Sequence, residues 1–126
     1  MDERWARGIA AYASQFGLSE EDVFPHLSSR FGEQMATEAV HAAGAAWESD
    51  SPLSLRDRSL VVLTALAVQG AVEERLRPHV RWAIAHGATR AEIERLLAFL
   101  AVYVGYPRAS VAMEVAREEL DRLESE

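Results

Sequence analysis

The chain contains no cysteine. Disulfides, thiolate nucleophiles and cysteine-ligated metals are excluded, and cysteine usage gives no reading of the redox compartment. Long apolar runs are missing too. The longest, Leu60 to Val68, falls well short of the roughly 20 residues that a membrane span needs. Met1-Asp2-Glu3-Arg4 has neither the basic start nor the apolar centre of a secretory signal. No membrane partner is expected, and a cytoplasmic location follows by default. Positive charge is scarce, with 13 basic residues against 20 acidic ones and a net charge of −7. That balance speaks against a nucleic-acid surface, which needs a concentrated basic face, but leaves room for a local pocket containing arginine. His26 and His41 have no partner at metal-ligand spacing, so no metal is expected. No repeat of fixed period and no low-complexity tract interrupts the sequence.

What is present fits a soluble globular chain. Hydrophobic residues make up 49% of it, too many for disorder, and 126 residues suffice for one domain with its own core. The expected organisation is a single domain over 1–126, with N-terminal helices in 1–52 and a core in 53–123. The fold class read from periodicity is all-α, with about six helices.

Trp5, Ile9, Tyr12 and Phe16 recur at helical steps and predict an amphipathic helix over 3–16, ended by Gly17. Ser19 followed by three acids predicts a new helix start, and Pro25 predicts that it lasts only a turn or two. A third helical segment from Phe31 to about Trp47 carries Met35, Ala39, Ala42, Ala43 and Ala46 on one side. Glu48 to Pro52 is the clearest loop. Ser54, with Asp57 three residues on, caps the next helix, whose Leu60–Val68 stretch is apolar on nearly every face and is expected to be buried all round, either inside the domain or between subunits. The last helix, from about Pro107 to Leu123, turns Ala109, Ala112, Met113, Ala116, Leu120 and Leu123 inward.

Between them lies the stretch RLRPHVRWAIAHGATRAEIERLLAFLAVYVGYP, from Arg75 to Pro107. Pro78 is comfortable only near a helix start, so a helix begins at about Arg75 or kinks there. Leu76, His79, Val80 and Ala83 share a stripe, which predicts an inward His79. Gly87 suits a helix end, and Thr89 with Glu92 forms a T-x-x-E capping box for the following helix. There Ile93, Leu96, Leu97, Leu100 and Val104 form one apolar face, while Phe99, Val102 and Tyr103 make a second. Two apolar faces on one helix imply another packing partner, so a homo-oligomer is expected.

R-D-R-S-L near residue 58, H-V-R-W-A-I at His79, H-G-A-T-R-A-E-I ending at Ile93 and V-Y-V-G-Y-P ending at Pro107 resemble the carboxymuconolactone decarboxylase family. The resemblance runs from roughly Leu53 to Leu120. It implies the helical bundle that this family shares with the AhpD alkylhydroperoxidases, no cofactor, a trimer or hexamer, and a cytoplasmic role in aromatic catabolism. In AhpD-like relatives the matching histidine follows a C-x-x-C motif; here Val72 and Arg75 stand at those positions, so thiol peroxidase chemistry is excluded. Arg75, Arg95, Phe99 and Arg108 stand where the family tends to carry a glutamate, an acid, a polar residue and an alanine.

The resemblance implies a decarboxylase or related lyase acting on a small carboxylated lactone such as gamma-carboxymuconolactone, or on a related acid. His79 would supply a proton or stabilise an enolate, with Tyr103 as a secondary donor. Arg56 or Arg58 would hold a substrate carboxylate, unless a structural acid is their partner. Glu73 and Glu74 either start the His79 helix in solvent or face the pocket, and Glu74 is taken as a candidate substrate-binding residue. His79 has an alternative as a core histidine bonded to backbone, and His86 reads as a cation favoured by the helix dipole. The alternative for the whole chain is a catalytically inactive oligomeric binding or scaffold protein of the same fold.

Overall fold

The computed structural model describes residues 2–126. Six helices follow in chain order: α1 Glu3–Phe16, α2 Glu20–Ala46, α3 Leu55–Gln69, α4 Glu73–Ala85, α5 Arg90–Val104 and α6 Tyr106–Ser125. Among the described residues there is no strand, and the fold is an all-α bundle. They divide into two compact units, Met1–Pro52 and Leu53–Glu126.

The first unit is the pair α1 and α2. Asp2 caps α1 by accepting from the Trp5 amide at 2.7 Å, satisfying one of the free donors of the first turn. Trp5, Ile9, Tyr12 and Phe16 pack against a buried group of Val23, Leu27, Ala36 and Val40 from α2. Pro25 does not end its helix. The carbonyl that loses an amide partner belongs to Glu21, which is exposed, so solvent can serve it and α2 continues. The break comes instead at Gly32, where φ is 82° and the helix kinks. The expected alanine stripe is also rotated: Met35, Ala42 and Ala46 are exposed, and Ala36, Val40, Ala43 and Gly44 turn inward. Two glycines bring α1 and α2 into backbone contact. A Cβ on Gly8 would stand 2.0 Å from the Val40 carbonyl oxygen, and one on Gly44 would stand 1.9 Å from that of Arg4.

The second unit holds α3 to α6 around a core of Leu63, Leu76, Val80, Ile93, Leu97, Leu100, Val115 and Leu120. The Ser54 hydroxyl accepts from the Asp57 amide at 3.0 Å and starts α3. The Thr89–Glu92 capping box forms as its sequence requires, with both reciprocal bonds made. α3 is buried along Ser59, Leu63 and Ala67 but not all round: Val61, Ala65 and Val68 are exposed on its other side. α4 begins at Glu73, two residues before Arg75, and Pro78 sits in its second turn because the orphaned Glu74 carbonyl is at the surface.

One charged side chain lies on the inward stripe of α6. Glu119 is only 4% exposed and meets Arg81 at 3.2 Å and Arg122 at 3.0 Å, with Arg77 at 3.9 Å. A carboxylate so desolvated needs such company, and Arg77 and Arg81 tie α4 to α6 while Arg122 pairs with it within α6.

Candidate functional site

α3 stops at Gln69 because the next two residues leave helical geometry: Gly70 has φ 70° and Ala71 φ 53°. The turn they make sets the start of α4 beside the end of α3. Pro107, in the first turn of α6, completes the ring. A cavity of about 240 Å³ opens there, with an apolar body formed by Leu66, Ala67, Val72, Leu76, Val111 and Ala112. Two ionisable side chains line it, Glu73 and Arg108.

Arg108 lies across Gly70, where a Cβ would come within 3.3 Å of its Nε, and its Nη1 donates to the Val68 carbonyl at the end of α3. A cation on the last carbonyls of a helix is electrostatically favourable. Among the described residues it meets no carboxylate, and Glu73 meets no cation. The α4 and α6 N-termini that adjoin the cavity also carry no side-chain cap. The cavity therefore combines apolar walls, one arginine and one acid.

The five residues singled out in the sequence do not line it. Arg56 is engaged by Glu92, and by Asp57 at 2.6 Å; bonding to Glu92 above all raises its pKa and holds the Glu92 carboxyl below its usual range. Glu74 is exposed and pairs with Arg77 at 3.2 Å. Tyr103 is 72% exposed and its ring lies 5.2 Å from that of Phe99. Arg58 is half-buried near His86. His79 sits one helical turn beyond Leu76 on the same stripe of α4, its ring 6.0 Å from that of Trp82. Burial pushes the His79 imidazole down to about 4, so at neutral pH it is uncharged.

A second polar group gathers at the far end of α3. Ser59 Oγ lies 2.6 Å from Nδ1 of His86, and the buried Trp82 ring stands 4.6 Å from the His86 ring. Burial, and then the Arg58 charge, lower the His86 pKa. The dipole alone would have favoured a cation here, so the reading of His86 as a charged helix end is corrected. Among the described residues no three His, Asp or Glu side chains come together as a metal site.

Residues 34–118, more than half of the chain, match the carboxymuconolactone decarboxylase family. The chain belongs to that family. The match begins at Gln34, in the second half of α2, upstream of Leu53 where the recognised motifs begin. A 4-carboxymuconolactone decarboxylase of Acinetobacter baylyi is 35% identical over 77 residues, covering 61% of this chain and 56% of that protein. An uncharacterized 15.0 kDa protein encoded in the nqo9–nqo10 intergenic region of Paracoccus denitrificans is 38% identical over 66 residues, covering 52% and 49%. The chain thus spans about half the length of the curated relatives it matches.

Within this family member, Glu73 and Arg108 line the cavity but are not among the candidate site residues read from the sequence. Arg108 carried a signal, since it departs from the family's alanine after the proline. Glu73 was indistinguishable from Glu74, because two acids at a helix start satisfy the dipole equally and only the turn at Gly70–Ala71 decides which one faces the cavity. No helix among the described residues is long and apolar enough to cross a membrane.

Proposed function

We propose that the chain is a cofactor-independent lyase that removes carbon dioxide from a small carboxylated lactone such as gamma-carboxymuconolactone, or from a related acid, in the cavity between α3, α4 and the start of α6. The observation that carries this reading is the cavity itself: an apolar space of about 240 Å³ within the matched segment, holding an arginine without a carboxylate. It suits a ligand smaller than the drug-sized molecules that fill larger pockets. Loss of carbon dioxide breaks a carbon–carbon bond, sends the electron pair into a conjugated carbonyl and ends with protonation at carbon. His79 lies outside the lining, one helical turn beyond Leu76 on α4 and uncharged at neutral pH, so its part in this reading, stabilising the enolate as a neutral imidazole, requires the bound acid to reach past Leu76.

The exposed apolar residues at the end of α5, Phe99, Val102 and Tyr103, with Tyr106 beyond them, support a homo-oligomer, a trimer or hexamer by resemblance. Light scattering behind a sizing column reads its mass.

A second reading, a catalytically inactive binding protein, draws support from Arg56 and Glu74 already being engaged by charges of the chain itself. Carbon dioxide release from gamma-carboxymuconolactone generated in situ separates the two. The lyase reading expects release that drops by about two orders of magnitude in His79→Ala. A folded natural protein that releases none leaves the binding reading.

A further inference from the structure

Arginine is plentiful in the second unit, and most of it is committed: Arg56, Arg77, Arg81, Arg90, Arg117 and Arg122 each have a carboxylate within 4 Å. Arg108 is different. It shares a cavity with an acid, Glu73, yet the two form no ion pair, and each lacks an oppositely charged partner among the described residues. An ion pair would have closed the cavity on itself. Two separate, uncompensated charges of opposite sign instead give it a direction.

We infer that Arg108 is the anion anchor of this cavity and that Glu73 is its opposing pole, so that the site grips one carboxylate of a small ring acid and repels a second. Arg108 suits the anchor because its Nη1 bond to the Val68 carbonyl and its seat across Gly70 fix the guanidinium, leaving further N–H donors for a carboxylate. The uncapped start of α6, whose first turn holds Arg108, adds partial positive charge beside it. Leu66, Leu76 and Val111 supply the walls for an apolar ring.

The inference rests on the reading of the cavity as the substrate site, and it assigns the two poles a role in the lyase chemistry. A substrate with two carboxylates is held by the one that stays, on Arg108. The one that leaves meets the Glu73 charge, and this repulsion disappears as carbon dioxide departs uncharged. Glu73 is then a group that weakens ground-state binding and helps turnover.

Benzoate and phthalate, one carboxylate against two on the same ring, test this by isothermal titration with the full chain. Benzoate should bind more tightly than phthalate. Arg108→Gln should weaken benzoate by about tenfold or more, with Arg108→Lys in between, as expected for a charge-assisted contact. Glu73→Gln should leave benzoate within about threefold and narrow the gap to phthalate. Benzoate binding that is indifferent to Arg108→Gln, or a benzoate preference that survives Glu73→Gln, overturns the assignment. Circular dichroism of each variant confirms that it is folded. With substrate, Glu73→Gln should lower kcat and KM together, a split that a merely structural acid would not produce. These binding results can hold in a protein that releases no carbon dioxide, in which case the lyase reading fails and the anchor stands.

Discussion

Ser59 and His86 join the first turns of α3 to the end of α4 through a contact of 2.6 Å between Oγ and Nδ1. Ser59 is buried and sits on the same stripe as Leu63 and Ala67, so its hydroxyl has little access to water. His86 holds the C-cap of α4, where its own amide already reaches back to Trp82 and Ala83. Replacing Ser59 by alanine strips a half-buried ring nitrogen of its partner. The expected cost is about 1–2 kcal/mol in urea unfolding. Ser59→Ala and His86→Ala should be non-additive in a double-mutant cycle, and strict additivity would mean that the contact carries no energy.

The two lowered histidines predict how stability depends on pH. His79 titrates near 4 in the folded chain and near 6.5 when unfolded, because burial penalises its charged form. As pH falls below about 6.5 the unfolded chain takes up a proton that the folded chain refuses, so stability is full above that pH and declines down to about 4. The loss from His79 amounts to about 3 kcal/mol, and His86 adds to it in the same direction. Urea midpoints measured at pH 7 and pH 4.5 should differ accordingly, and His79→Gln should remove much of the difference. A midpoint that stays level in the natural protein contradicts the burial of His79.

Glu119 gives a contrast with its neighbour Glu118. Both pair with arginine, but Glu119 is buried among Arg77, Arg81 and Arg122 whereas Glu118 is exposed. Glu119→Ala should cost about 3 kcal/mol, since three cations lose the carboxylate that balances them. Glu118→Ala should cost less than about 1 kcal/mol, as exposed pairs do. Denaturant titration of the two variants side by side reads this, and equal losses would mean that burial is not what makes the contact matter.

In the first unit, Gly8→Ala should open the α1–α2 contact, because the new methyl meets the Val40 carbonyl at 2.0 Å and backbone cannot step aside cheaply. The expected loss exceeds about 2 kcal/mol. Limited proteolysis should then cut α1 far faster than in the natural chain; an unchanged digest would contradict the close approach.

The sequence made the helices legible where chemistry and periodicity agreed. Ser54, Thr89 with Glu92, and Gly17 marked ends that the structure keeps. Pro25 misled: it removes one amide bond, but the carbonyl set free lies at an exposed glutamate, so its helix does not stop, whereas Pro78 placed the start of α4 near Arg75 and the helix begins at Glu73. The α2 stripe was misread because alanines surround it on several sides, and Gly8 and Gly44, which set the helix spacing, carry no hydrophobic signal. The candidate site was less legible than the fold. His79 could be placed on its stripe by counting, but the cavity depends on how Gly70, Ala71 and Pro107 bring three helix ends together, and no spacing along one helix contains that. Ser59 with His86 is 27 residues apart for the same reason hidden.

The proposed lyase chemistry is assigned to the cavity beside Gly70. Val111 lines it and is 44% exposed, so a larger side chain there can fill the space without disturbing the core. Carbon dioxide release from gamma-carboxymuconolactone, compared between the natural chain and Val111→Trp, tests that location. The natural chain should release carbon dioxide, and a Val111→Trp variant that melts normally should release it about two orders of magnitude more slowly. Equal release by both would place the chemistry elsewhere, and a folded natural chain that releases none would contradict the lyase reading itself.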